Sequence, residues 1–146
     1  MRTNVTVATL FLAGLLVNIA TADEKTDADT KAIVGTWSPV SLEIAGEKRD
    51  AASEPGALPA TFKDGKVLLN DEEIFSYKLD ASTDPKIIDL TKLKDPDKDQ
   101  VLEGIYKFDG EMLVVCLWTG QGTKARPSEF ATKAGDHFVL VTLKRS

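Results

Sequence analysis

The chain has 146 residues with 18 basic and 23 acidic side chains, one cysteine, one histidine and a formal charge of −5. That balance argues against a nucleic-acid surface, which neutralises phosphates with Lys and Arg. A lone cysteine excludes an internal disulfide framework, and one cysteine with one histidine falls short of the three or four ligands of a zinc site, so neither metal nor cofactor is expected.

Residues 1–22 carry an export pattern. Arg2 forms a short positive n-region, residues 5–19 are mostly apolar, and Ala20-Thr21-Ala22 offers a small-x-small cleavage site. The apolar run is too short and too interrupted for a spanning helix of ~20 residues. Cleavage after Ala22 leaves 124 of the 146 residues, enough for one domain, with a formal charge of −6 because only Arg2 is lost. The expectation is an exported protein, periplasmic or extracellular, with no integral membrane segment after cleavage. Residues 23–31 are polar, lack an apolar period, and read as a flexible leader. Residues 32–146 form the expected domain.

Gly35-Thr36-Trp37 opens the first strand, followed by Val40, Leu42 and Ile44 at spacing two. Trp37 has the opposite parity, so a kink or an extra residue is required near Pro39. Residues 49–59 read as a loop with one helical turn. Short strands follow at 60–63 and 66–70 around Asp64-Gly65, a two-residue hairpin signal. The next, at 73–79, puts Phe75, Tyr77 and Leu79 on one face, and the strand at 86–91 pairs Ile88 with Leu90.

Asp95, Asp97 and Asp99 alternate in a charged loop, but Gln100 and Tyr106 stand where a helix-loop-helix calcium loop needs Gly and Glu. A solvated hairpin loop is the better reading. Leu102, Gly104, Tyr106 and Phe108 share a face before Asp109-Gly110 turns the chain into residues 111–118, apolar on both sides. Such a strand is covered on both faces or lines a cavity. A short strand at Phe130 and a last one at 138–144 complete an all-β pattern: an antiparallel lipocalin-like β-barrel of about eight to nine strands, or a β-sandwich.

The combination of Gly35-Thr36-Trp37, residues 85–91, Gly104-Ile105-Tyr106, Asp109-Gly110, Leu113, Cys116, Arg126-Pro127, Phe130 and Leu143-Lys144-Arg145 resembles the small exported domain of uncharacterised function that is abundant in planctomycete bacteria. The likeness covers nearly all of the mature chain. It departs at Asp99 and Gln100, where family members often carry glycine. It implies an exported or surface-associated domain and no established activity. Gly-x-Trp and the terminal arginine are also similar to the pattern of lipocalins and their calycin relatives. That resemblance implies barrel closure by Trp37 and Arg145, with the guanidinium within about 6 Å of the ring centre.

Several residues are candidates for chemistry. Arg126 either stands at a barrel mouth, where its planar donors hold a ligand carboxylate or phosphate, or pairs with a neighbouring carboxylate while Phe130 fills the core. Tyr106, Tyr77 and Phe75 are candidate ligand contacts at inward-type positions. Cys116 and His137 are the sole nucleophile and base, with Asp136 as a third group, but Val114-Val115-Cys116-Leu117 is an apolar setting that makes a thiol inert. Gly120 and Gly122 lack the Lys-Ser/Thr ending of a phosphate loop. Adjacent Glu72 and Glu73 point to opposite faces of a strand and form no acid-base pair.

Three functions follow. The first is a non-catalytic binding module for a small apolar or amphipathic ligand, which requires an interior of ~300 Å³ or more. The second is a structural or interaction domain with an envelope protein as partner. An enzyme ranks last.

Overall fold

The structure, a computed structural model, describes residues 22–146. The export pattern before Ala22 lies outside the described residues. Helix α1 (Ala22–Ile33) precedes nine strands: β1 (Gly35–Ile44), β2 (Glu47–Asp50), β3 (Ala60–Lys63), β4 (Lys66–Leu69), β5 (Glu72–Asp80), β6 (Lys86–Lys92), β7 (Val101–Asp109), β8 (Met112–Trp118) and β9 (Phe138–Arg145). Each strand pairs antiparallel with the next from β3 to β9, and β1 pairs with both β3 and β9. Eight strands therefore close into a lipocalin-like barrel, and β2 is an extra strand on the upper half of β1.

The parity conflict in the first strand is resolved by a bulge. The β1–β9 register shifts between Pro39 and Ser41, leaving Val40 as the extra residue. Trp37 then faces Arg145, Leu42 faces Val141 and Ile44 faces Val139, so tryptophan and both aliphatics share one face. Val40 is expelled from that face and is 39% exposed. The inner rows of β5, β6 and β7 follow the alternation in the sequence, with Leu79, Ile88, Leu90, Leu102 and Tyr106 in one buried cluster with Trp37, Phe62 and Leu113.

Antiparallel alternation gives the barrel two distinct ends. Gly35, the 64–65 and 109–112 turns and Arg145 lie at one, the lower end; Ile44, the 70–71 turn, the 93–100 loop and Trp118 lie at the other, the upper end.

Three expectations are corrected. Residues 23–31 are helical rather than a flexible leader. Asp23 and Glu24 in the first turn and Lys31 in the last suit the helix dipole, yet twelve residues are marginal alone, and tertiary ties supply the order. The Ala81 amide donates to Thr26 Oγ1 at 3.0 Å, and Tyr106 OH and Lys86 Nζ both donate to Asp29 Oδ2, at 2.7 and 2.8 Å. Second, residues 47–50 form a strand that the sequence hides, because all four residues are exposed and charged. Third, Phe130 is in a bend rather than a strand. In a closed barrel β7, β8 and β9 already pair on both sides, so no edge is free to receive it.

Two glycines are required by close approach. Gly35 has φ +132°, and a Cβ there would stand 2.7 Å from Arg145 Nη1. At Gly104 a Cβ would lie 2.6 Å from the Cys116 carbonyl oxygen and 2.5 Å from Leu117 Cδ2. Gly104→Ala is accordingly expected to cost about 2 kcal/mol in urea unfolding through overpacking. Gly56→Ala, with nothing within 4 Å of its Cβ, should stay within about 0.5 kcal/mol.

Candidate functional site

The lower end of the barrel is shut by polar and aromatic contacts. Arg145 Cζ lies 4.3 Å from the Trp37 ring centre. Its Nη1 donates to Val34 O at 2.9 Å, and its Nη2 donates to Ala32 O. Trp37 Nε1 donates to Ile33 O at 2.8 Å, which ties the end of α1 to the same ring. A groove of about 760 Å³ runs outside this closure past Phe108, Glu111 and Lys144. Trp37 is only 2% exposed there, and both guanidinium arms of Arg145 are engaged by the helix end, so the groove is an external shoulder of the closure.

The candidate site is at the upper end. A recess of about 130 Å³ enters the barrel among Leu69, Phe75, Leu90, Leu117 and Val141, and every residue lining it is apolar. It is apolar because these positions are the inward members of alternating strands; the inner row of β6 ends at the rim in Lys92, which has the parity of Leu90, pairs in register with Phe75 and stands 3.9 Å from Asp97 Oδ2. Beside it on the rim is a second cleft of about 310 Å³, between the Ile44–Ala45 turn and residues 133–138.

The residues singled out in the sequence are scattered by this geometry. Phe75 lines the recess. Tyr77 packs edge-on against Phe62 at 5.1 Å, with its hydroxyl pKa raised by burial and by Asp64. Tyr106 is fully buried at the opposite end, where burial and its bond to Asp29 hold the hydroxyl protonated. It meets α1 and reaches no mouth.

Arg126 lies on the outer wall. Its Nη1 donates to Gly104 O at 2.8 Å, and its Nη2 stands 2.9 Å from Asp89 Oδ1 and 3.6 Å from Glu103 Oε1. Asp89 and Glu103 are register partners on the face opposite Leu90 and Leu102. The mouth reading of Arg126 is therefore replaced by the carboxylate-pair reading. Phe130 is half-buried outside the barrel, with Lys107 Nζ 4.6 Å from its ring centre, and is corrected from a core residue to an outer-wall contact.

The loop carrying Arg126, residues 119–137, explains why β8 is apolar on both sides. Leu113, Val115 and Leu117 face inward, while Val114, Cys116 and Ile105 of β7 are buried on the outer face. Cys116 Sγ is 3.9 Å from Ala131 O, and Thr132 ties the far end of the loop to Glu43 with two bonds of 2.9 Å. The loop is a strap over an outer apolar layer.

Among the described residues the hydrogen bond of Cys116 goes to the Ala131 carbonyl and not to His137. Burial pushes the Cys116 thiol up to about 11. Asp136 accepts the backbone amides of Lys133 and Phe138 at 2.6 and 2.9 Å, which turns it to the chain rather than to His137. Among the described residues no group of three or more His, Cys, Asp or Glu side chains is arranged for a metal, and no helix is long and apolar enough to cross a membrane. No family model, curated protein or solved structure matches this chain. The rim cleft was not legible in the sequence, because its lining comes from residues 44–45, 119–121 and 133–138.

Two outcomes follow. A thiol reagent should leave Cys116 unmodified in the native protein and label it in denaturant; equal labelling in both states would place the sulfur at the surface. The folded thiol titrates above its ordinary 9.0, so its contribution to stability is whole below pH 9 and is lost as pH rises toward 11. Cys116→Ala should flatten that part of the decline in unfolding free energy. Phe130→Ala should cost about 1 kcal/mol, the scale of an exposed cation–π contact, rather than the ~3 to 5 kcal/mol of a core phenylalanine.

Proposed function

We propose that this protein is an exported, non-catalytic binding module that takes the slender apolar end of an amphipathic molecule into the open end of its barrel. The observation that carries this reading is the recess lined solely by apolar side chains beneath a polar rim. Apolar surface left at the mouth of a barrel gains by being covered, at about 0.8 kcal/mol per buried methylene. Export rests on the pattern of residues 1–22.

The size of the recess sharpens the expectation. At about 130 Å³ it falls short of the ~300 Å³ that a wholly enclosed drug-sized ligand needs, and that version of the reading is dropped. A dry apolar cavity of about 150 Å³ takes one benzene-sized ring. A single ring or a few methylenes fit, with the rest of the molecule outside. The same shortfall favours a second reading, in which the filled barrel is a scaffold for an envelope or surface protein.

Mass spectrometry of an organic extract of the natively purified protein, together with amide-shift mapping against octan-1-ol, separates the two. The binding reading expects shifts clustered at Leu69, Phe75, Leu117 and Val141, and expects Leu69→Phe, at the half-buried end of β4, to weaken them while the circular dichroism of the fold is kept. An empty extract with no octan-1-ol response overturns it in favour of the scaffold.

A further inference from the structure

The rim cleft has a chemistry of its own. It is lined by Thr119, Gln121, Lys133 and His137 on its polar side and by Ile44 and Phe138 on its apolar side. The side-chain donors of those four polar residues find no partner among the described residues. Asp136 also lines the cleft, but both of its oxygens already accept backbone amides. What remains is a cluster of donors: one ammonium, one imidazole, one amide and one hydroxyl. Such a set selects a group rich in acceptors.

The cleft and the recess are one strand apart. Val139 pairs with Ile44 on one side and with Leu117 on the other. Ile44 lines the cleft and Leu117 lines the recess. Two strand spacings of ~4.8 Å put them about 10 Å apart across the mouth, a distance that a short alkyl chain bridges.

The local backbone holds the donors in place. His137 has φ +57°, an unusual conformation for a non-glycine residue. Its carbonyl accepts the Thr119 amide at 2.9 Å, which joins the two ends of the strap. Its ring rests against Gly122, where a Cβ would come within 2.4 Å of Cδ2.

We propose that the rim cleft is the head-group site for a carboxylate, and that the ligand class is a short-chain amphipathic acid with its tail in the recess. This rests on the recess reading above. Lys133 supplies the formal charge, while Gln121, Thr119 and His137 supply hydrogen bonds. Asp136 lowers the net field without occupying a donor.

The test compares octanoate with octan-1-ol, which share a chain and differ in the head, by calorimetric or NMR titration of the mature protein. Octanoate should bind about tenfold more tightly, the scale of one charge-assisted hydrogen bond. Lys133→Ala should remove that preference without weakening octan-1-ol, and Lys133→Arg should restore most of it. Equal affinities that Lys133→Ala leaves unchanged overturn the head-group site while the recess reading stands. Absence of binding by either probe to the wild-type protein overturns the recess reading, and this one with it.

Discussion

The stacking of Arg145 on Trp37 is the contact on which the rest of the structure depends, because it joins the first strand, the last strand and the end of the helix at one point. The guanidinium covers the indole face at 4.3 Å while its arms reach the carbonyls of Ala32 and Val34. The cation–π part is worth ~0.5 to 2 kcal/mol. Its larger consequence is topological. β1 pairs with β9 from Trp37 to Ile44, with Trp37 opposite Arg145, and that pairing turns an open sheet into a barrel.

Closure has a second effect, on the outer wall. A closed barrel has no edge at which residues 119–137 could join the sheet, so the long connection between β8 and β9 lies across the outside. It is held at one end by Arg126 against Asp89, Glu103 and the Gly104 carbonyl, and at the other by Thr132 against Glu43. The layer beneath it buries Ile105, Val114 and Cys116. Arg126 is thereby committed to the strap and does not reach the mouth. A partly buried ion pair of this kind positions a loop more than it stabilises the fold.

Legibility varied with the range of the interaction. Alternation placed Phe75, Tyr77, Leu79, Leu102, Tyr106 and Phe108 on inner faces, because successive side chains of a strand point to opposite sides. The need for a bulge was legible from the clash of parity between Trp37 and Leu42, though its position at Val40 was settled by pairing with β9. Helix α1 and β2 were missed for one reason: neither carries an apolar period. Each is ordered by partners far away in the chain, α1 by Tyr106 and Lys86 and β2 by the upper half of β1.

From the sequence alone came the all-β class, the hairpin order, the apolar inner faces and the resemblance that pairs Trp37 with Arg145, since these depend on local periodicity, turn chemistry and motif. Only the tertiary structure decided which end of the barrel is shut, that the inner recess is no larger than about 130 Å³, and that Arg126 faces a wall rather than a mouth. Each depends on which side chains fill a shared volume or face one another across strands. That is a property of closure and packing between segments distant in sequence, which no local pattern encodes.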